Sequence, residues 1–172
     1  MKLRYKAFTM IELIVVIAVI LVLTAFTIYS LGPARAKSRD SRRITDANLI
    51  MNALDQYYTS KLRTYPTEDT PDSSDSKYHA VKVTANSLSM LSDYLNPIPV
   101  DPINDGTHRY IYIYRGDGKK AAVVVDKLES MITRCNTSGT DMPDSVKAYL
   151  TGQNLAGGGV PANPNACYYV AR

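Results

Sequence analysis

One carboxylate, Glu12, stands near the start of an otherwise apolar stretch, Phe8–Leu31. It is followed by 19 uncharged, mostly apolar residues, Leu13–Leu31, which in helical form are enough to cross most of a bilayer. A carboxylate in a membrane helix is costly and usually faces a partner group. The chemistry that Glu12 offers is therefore pairing with a partner rather than catalysis.

The flanks of this stretch leave two simple interpretations open. Lys2, Arg4 and Lys6 precede it, and Ala34-Arg35-Ala36 offers a small-residue cleavage site, as in a secretory signal peptide. The apolar run is longer than the usual length of about 7–15 residues, however, and Glu12 interrupts its start. A plain single-pass anchor fits the length but gives Glu12 no purpose.

A third interpretation rests on the order of residues around Phe8. A short basic leader ends at a small residue, Ala7, Phe8 follows, and Glu12 is the fifth residue counted from Phe8. Together with the long apolar run, this order resembles the processing site of type IV pilins and type II secretion pseudopilins. The family strongly prefers Gly before the cut, and this chain has Ala7, the next smallest residue.

The resemblance implies a role for each of these residues. A prepilin peptidase would cut between Ala7 and Phe8 and methylate the new amino terminus of Phe8. The α-amino group of Phe8 in one subunit would then pair with Glu12 of a neighbour during assembly. An unpaired carboxylate is penalised in low dielectric, and pairing removes that penalty, so we expect the pair to set the register of assembly.

Two cysteines, Cys135 and Cys167, lie in the last 40 residues. An even count downstream of an export-type N-terminus favours one disulfide formed in an oxidising compartment. Two buried free thiols are the alternative.

No other group of residues forms a catalytic or metal-binding pattern. The histidines, His79 and His108, fit no metal-ligand spacing, and the chain has no nucleophile elbow or phosphate loop. Asp101 and its neighbours in DPINDG offer oxygen ligands, but their spacing is not that of a calcium loop, and a turn is the better interpretation. We therefore expect no catalytic residue, no metal, no cofactor and no enzymatic activity.

The formal net charge of +4 is concentrated near the N-terminus. From Ile44 onward there are 12 basic and 14 acidic residues, a balance that argues against nucleic acid as a partner. The basic cluster at residues 35–43 either meets anionic lipid headgroups or forms a solvated helix face. Charge alone predicts that the C-terminal body stays inside the cell. The cysteine pair and the resemblance predict that this body lies outside the cytoplasm, and we adopt that prediction.

A helical pattern continues beyond the apolar stretch. Apolar residues recur at spacings of three and four, in Ile44, Ala47, Met51, Leu54, Tyr58 and Leu62. Pro33 predicts a bend or a short melted stretch at 29–33. We predict a leader at 1–7, a membrane-spanning or filament-core helix at 8–31, its continuation at 32–62 and a globular pilin-like head domain at 63–172.

The strongest β pattern is the alternation of Tyr and Ile in Arg109–Arg115, followed by a turn and a returning strand at Lys120–Asp126. We expect the Ile face of this hairpin to pack on the helix and the Tyr face to be half-exposed. A further strand is predicted at Tyr78–Thr84, one helical turn at Val146–Leu150 and an edge strand at Cys167–Ala171. The fold class is therefore α+β, a long N-terminal helix packed on a small antiparallel sheet.

Two short motifs extend the resemblance into the body. Tyr65-Pro66-Thr67 follows the helix and Pro99-Val100-Asp101-Pro102 precedes the hairpin, as in many pilin-like proteins. The major pseudopilins end in a calcium-binding loop, which this chain does not match. Its tail, rich in Gly and Pro and carrying both cysteines, is more similar to that of pilus subunits.

These observations predict a structural subunit of a type IV pilus-like filament. Its expected partners are copies of itself, other pilin-like subunits, prepilin peptidase and membrane lipid. It would cross the inner membrane once, with its head extracytoplasmic, before it joins a surface pilus or a periplasmic filament. A type II secretion pseudopilin and a monomeric membrane-anchored binding or adhesion module are the alternatives.

Overall fold

The computed structural model describes residues 8–67, 76–137, 141–156 and 160–172, except for the side chains of 27–30. The predicted leader at residues 1–7, including Ala7, lies outside this part of the chain. The helices are α1 (Met10–Ser60) and α2 (Asp144–Thr151), with single 3₁₀ turns at Ser89–Leu91 and Ile132–Arg134. The strands are β1 (Tyr78–Lys82), β2 (Tyr110–Arg115), β3 (Ala121–Val125) and β4 (Tyr168–Ala171).

The chain divides into two compact units, Met1–Ala36 and Lys37–Arg172, and α1 contributes residues to both. In the first unit, the large apolar side chains that the structure describes are exposed. By length and composition, α1 qualifies as a membrane span, with its apolar window unburied. The predicted functional division of the chain, with boundaries after residues 7, 31 and 62, stays a prediction.

Helix α1 runs through Pro33, which excludes the melted stretch, one of the two alternatives predicted; the bend stays a prediction. Proline removes one backbone donor from a helix, but the residues on either side of Pro33 keep their helical conformation. The helix ends at Ser60, two residues earlier than the predicted stripe, because Leu62 and Arg63 adopt left-handed backbone angles. Leu62 is consequently 97% exposed.

The second unit contains a four-stranded antiparallel sheet in the order β1-β2-β3-β4. Tyr112 in β2 is opposite Val81 in β1 and Val123 in β3, and Val123 in turn is opposite Val170 in β4. The α+β class, the central hairpin and the C-terminal edge strand are as predicted.

Both faces of the sheet are buried, and the predicted orientation of the hairpin is wrong. Tyr110, Tyr112 and Tyr114 pack in one apolar cluster with the inner residues of α1, among them Met51 and Leu54. On the opposite face, Ile111 and Ile113 pack in a second cluster beneath α2, with Val146 and Tyr149. The Ile face is thus covered by α2, where the sequence predicted only one helical turn at Val146–Leu150.

Polar partners at the ends of two of the three Tyr rings help to explain why the Tyr face can be buried. The hydroxyl of Tyr110 donates to Asp46 Oδ2 on α1 at 3.1 Å, and that of Tyr112 donates to the carbonyl oxygen of Pro66 at 2.8 Å. A buried phenol is tolerated when its hydroxyl finds an acceptor, and its ring then contributes a large apolar area. Alternation alone does not indicate which face has such acceptors.

The turn between β2 and β3 contacts the segment that follows α1, and Gly118 is the contact residue. Its φ is +65°, and its carbonyl accepts a hydrogen bond from the Tyr65 N–H at 2.8 Å. A Cβ added at Gly118 would lie 2.3 Å from Thr64 Cγ2 and 3.2 Å from the Tyr65 carbonyl oxygen. Both the backbone angle and the close approach therefore require glycine.

We expect Gly118→Ala to lower the free energy of unfolding by about 2 kcal/mol, because alanine adds left-handed strain to a steric clash. Thermal unfolding of the full chain in non-ionic detergent measures this. Gly106→Ala is the matched control, since a Cβ there meets no atom within 4 Å, and it should be close to neutral. Equal effects of the two substitutions would contradict the assignment.

Candidate functional site

Glu12 lies in the first turn of α1, where it caps its own helix. Its Oε2 accepts hydrogen bonds from the Thr9 N–H at 2.9 Å and the Thr9 hydroxyl at 2.8 Å, and the Glu12 N–H contacts Thr9 Oγ1 at 3.3 Å. This reciprocal arrangement is a capping box, which satisfies donors that a helix start otherwise leaves unpaired. The spacing Thr9-Met10-Ile11-Glu12 carries its sequence signature, which our sequence analysis missed.

Phe8 precedes this cap and is 85% exposed. The apolar side chains that follow are also exposed: Met10, Ile11, Leu13, Ile14, Val15, Val16, Ile17, Val19, Ile20, Leu21, Val22, Leu23 and Phe26. An uninterrupted apolar surface of this kind requires lipid or other protein chains to cover it. At the start of this surface, the Glu12 carboxylate accepts both of its described hydrogen bonds through one oxygen, Oε2.

A second polar group lies in the second unit, where α1 meets two loops. We call it the Arg43 cluster, and its members are Arg39, Asp40, Arg43, Asp101 and Glu129. Arg43 is fully buried, and its guanidinium binds three carboxylates: Asp101 through Nε at 2.7 Å and Nη2 at 3.1 Å, and Asp40 and Glu129 through Nη1 at 2.8 and 2.6 Å. The cluster joins α1 to the loop before β2 and the loop after β3.

Asp40 gives this junction its backbone anchor. Its carboxylate accepts hydrogen bonds from the N–H groups of Glu129, Ser130 and Met131, at distances between 2.6 and 3.0 Å. Arg39 adds a bridge to Glu129 on the partly exposed side. One helix turn is thus fixed to three consecutive residues of a loop that is about 90 residues away in sequence.

The structure corrects our interpretation of two parts of the sequence. Arg35, Lys37 and Arg42 are exposed, as a headgroup-facing or solvated cluster requires, but Arg43 is buried in ion pairs. Asp101 does form the predicted turn, since its Oδ1 accepts from the N–H groups of Ile103 and Asn104. It is also buried, however, because Arg43 supplies the opposite charge.

The surroundings of these carboxyls keep them ionised. Burial opposes the charge of Asp40, but the three backbone N–H groups outweigh it and lower the pKa of Asp40 to about 2. Hydrogen bonding from Arg39, with a further bond from Arg43, lowers the pKa of Glu129 to about 2 against the opposing effect of burial. Burial likewise opposes the charge of Asp101, and Arg43 with two backbone N–H groups lowers its pKa.

These lowered pKa values predict a loss of stability in acid. A carboxyl that ionises more readily when folded stabilises the protein above its unfolded pKa, and that stability is lost as pH falls through the folded pKa. For Asp40 and Glu129 the window runs from about pH 4.5 down to about pH 2. We expect the free energy of unfolding to fall by roughly 2–4 kcal/mol across it.

Denaturant unfolding at several pH values measures this slope. Asp40→Asn should flatten the slope, because one of the titrating groups is gone, although this variant is less stable at neutral pH. Asp93→Asn, which removes an exposed carboxyl outside the Arg43 cluster, is the matched control. An equally steep slope in Asp40→Asn would contradict the role given to Asp40.

The two cysteines come together at the edge of the sheet. The sulfur atoms of Cys135 and Cys167 are at bonding distance, with their Cα atoms 4.5 Å apart. The neighbouring Asn136 binds β4 through its side chain: its Oδ1 accepts from the Tyr169 N–H at 2.9 Å and its Nδ2 donates to the Tyr169 carbonyl at 3.0 Å. This amide occupies backbone groups that an edge strand otherwise leaves open.

The structure places the predicted site residues in separate regions. Phe8 and Glu12 lie in the first unit, Cys135 and Cys167 lie in the second, and Ala7 lies outside the described residues. Among the described residues, no group of three or more His, Cys, Asp or Glu side chains is arranged to hold a metal ion.

Comparison with known proteins supports the interpretation of the N-terminus. Residues 2–28 match the family model for the prokaryotic N-terminal methylation motif. The chain therefore carries the prepilin-type signal of type IV pilins and pseudopilins, and the resemblance first seen around Ala7, Phe8 and Glu12 is confirmed. No curated protein and no solved structure matches the chain.

The motif indicates a class of protein and the way in which such proteins are processed. The family for which this motif is typical consists of pilin-type structural subunits, which typically have no enzymatic activity. The motif and the exposed apolar part of α1 are consistent with a membrane-anchored pilin. The motif also implies processing by prepilin peptidase and assembly with other pilin subunits.

Proposed function

We propose that this chain is a structural subunit of a type IV pilus-like filament, exported, cut between Ala7 and Phe8, methylated at Phe8 and assembled through its N-terminal helix. The observation that carries the proposal is the prepilin-type motif at the head of an apolar helix with no buried residue in its membrane-length window. Lipid covers that surface before assembly, and neighbouring helices cover it afterwards. The folded second unit then forms the outer surface of the filament.

Within this class, the C-terminal tail favours a pilus subunit over a type II secretion pseudopilin. We propose that Cys135 and Cys167 form a disulfide, which places the second unit in an oxidising, extracytoplasmic compartment. A filament of pilus subunits would stand on the cell surface, whereas a pseudopilin filament would stay in the periplasm. A monomeric membrane-anchored binding module remains the alternative from a different class, and it gives Glu12 no role beyond its capping box.

The mass of the protein recovered from native membranes tests the processing step. A chain that begins at a methylated Phe8 is the expected result. A chain that begins at Lys37 would indicate an ordinary signal peptide, and an intact Met1 would indicate an anchored precursor; either result contradicts the proposal. Filaments in electron micrographs of cells that express the chain distinguish the subunit from the monomeric module.

Thiol labelling of the same material tests the compartment. Without reduction, Cys135 and Cys167 should resist alkylation, and reduction should add two labels. Labelling of both thiols without reduction would overturn the proposed disulfide and remove the main support for an extracytoplasmic second unit.

A further inference from the structure

A cleft of about 480 Å³ opens at the end of the sheet where β2 begins, β3 ends and the chain approaches β4. Its polar lining comes from three segments of the second unit and consists of Thr107, Arg109, Asp126, Lys127, Asn163 and Asn165. None of these residues takes part in the Arg43 cluster or the apolar helix. The cleft is large enough for one sugar ring, and its lining contains two cations for one carboxylate.

The carboxylate in the lining is already occupied. Asp126 has a side chain that is only 1% exposed, and its Oδ2 accepts from Arg109 Nε at 2.6 Å. Its Oδ1 accepts from the hydroxyl of Tyr149 at 2.9 Å. Asp126 is therefore held in the fold with both oxygens bound, where it orients Arg109.

Arg109 is the best-placed group for a ligand. Its side chain lines the cleft with 18% exposure, and it bonds to Asp126 through Nε. A guanidinium oriented in this way presents a planar set of donors that suits the two oxygens of a carboxylate or phosphate. Lys127 is exposed beside it and contributes a second positive charge.

The remaining polar groups favour hydroxyl-bearing ligands. Asn163 Oδ1 accepts from the Asn165 N–H at 3.0 Å, which leaves the Asn163 amide nitrogen to act as a donor. Asn165 is exposed at the same wall. Asp105 is a neighbouring carboxylate that opposes an anion, but it lies outside the lining of the cleft, where its Oδ1 accepts from the N–H groups of Thr107 and His108.

From this geometry we propose that the cleft binds a sugar-sized ligand that carries one oxyanion group, a carboxylate or a phosphate. The oxyanion contacts Arg109 and Lys127, and the ring hydroxyls contact the amides of Asn163 and Asn165. If the proposed filament forms, this site gives its outer domains a binding function for acidic sugars. The site lies wholly within the second unit and does not depend on assembly.

Ligand-observed NMR on the full chain in non-ionic detergent tests this proposal, with glucuronate, glucose 6-phosphate and glucose as probes. Binding of glucuronate, of glucose 6-phosphate or of both, with none of glucose, supports it, and the stronger of the two identifies the oxyanion. No binding of either anion, or equal binding of glucose, overturns it.

Matched variants locate the binding. Arg109→Gln should weaken the anionic probe at least about tenfold, whereas Arg115→Gln should change affinity by less than about twofold. Arg115 is a fair control because it pairs with Asp117 in a different part of the sheet. Arg109→Lys keeps the charge but loses the planar donors, so it should be intermediate; unchanged affinity in it would overturn the assignment.

Lys127→Gln keeps the test valid if loss of Arg109 unfolds the protein. Lys127 and Lys119 are both exposed, so neither substitution removes a buried contact. Lys127→Gln should weaken the anionic probe severalfold and Lys119→Gln should not. The same affinity in both variants would place the ligand elsewhere.

Discussion

Replacement of Arg43 by methionine is expected to lower the free energy of unfolding of the second unit by about 3–5 kcal/mol. Arg43 is fully buried and serves three carboxylates at once. Without it, Asp40 and Asp101 remain buried without their main counter-charge, and burial of an uncompensated charge is strongly unfavourable. The loss comes from the carboxylates left behind more than from the contact that is removed.

Arg42→Met is the matched control for this experiment. Arg42 occupies the adjacent position in α1, carries the same charge and pairs with Asp46 at 3.5 Å, but its side chain is 64% exposed. Asp46 is buried, but it keeps the hydrogen bond from the Tyr110 hydroxyl, and the Arg42 guanidinium stays in solvent, so we expect a loss of about 1 kcal/mol or less. Denaturant unfolding of both variants at neutral pH should separate them clearly.

Arg43→Lys distinguishes charge from geometry. Lysine restores the positive charge but offers one ammonium in place of the three nitrogens that bind Asp40, Asp101 and Glu129. We expect a loss of stability between those of Arg42→Met and Arg43→Met. Full stability in Arg43→Lys would show that the branched geometry contributes nothing, and a small effect of Arg43→Met would refute the cluster as the main junction.

The sequence allowed prediction of the elements more readily than of their partners. The Tyr and Ile alternation in β2 is a local pattern, and it predicted the strand correctly. Which face meets α1 depends on acceptors elsewhere, Asp46 on the helix and the Pro66 carbonyl after it. Those contacts are 64 and 46 residues distant in sequence, and no local pattern indicates them.

The Arg43 cluster escaped prediction for the same reason. Arg43 belongs to a run of basic residues, and its local surroundings are those of a solvated helix face. Its acidic partners Asp101 and Glu129 are 58 and 86 residues further along the chain. By contrast, the prepilin-type signal was recognised because all of its parts lie within one short segment, residues 2–28.

The Glu12 capping box is a local feature, whereas the resemblance predicts that Glu12 pairs with an amine on another chain. The two accounts of Glu12 are compatible, since the capping box engages Oε2 with Thr9 in the isolated chain. They differ in what each requires of the side chain. Capping needs an acceptor at this position, which glutamine also supplies, whereas pairing with the Phe8 amine of a neighbour needs a negative charge.

Glu12→Gln is therefore expected to leave export, processing and membrane insertion intact and to abolish filament assembly. The variant keeps an acceptor for the Thr9 N–H and hydroxyl but removes the charge that would meet the α-amino group of Phe8 in the next subunit. Counts of filaments in electron micrographs, normalised to the membrane pool of processed chain, measure the effect. Glu12→Ala should fail in the same way.

Thr9→Val is the matched variant for the capping account. It removes the Thr9 hydroxyl, which donates to Glu12 Oε2 and accepts from the Glu12 N–H. It leaves the Glu12 carboxylate in place. Because loss of a cap costs about 1 kcal/mol at one helix end, we expect Thr9→Val to assemble at nearly normal levels, provided that its N-terminal mass shows normal processing.

Together, Glu12→Gln and Thr9→Val distinguish the capping role of Glu12 from its role in pairing between chains. Normal filaments in Glu12→Gln together with few in Thr9→Val would show that Glu12 acts as a cap and would end its proposed role in assembly. Loss of filaments in Glu12→Gln alone would assign to the carboxylate a function between chains. The intrachain bonds to Thr9 would then hold that carboxylate at the helix start until a neighbour's amine replaces or joins them.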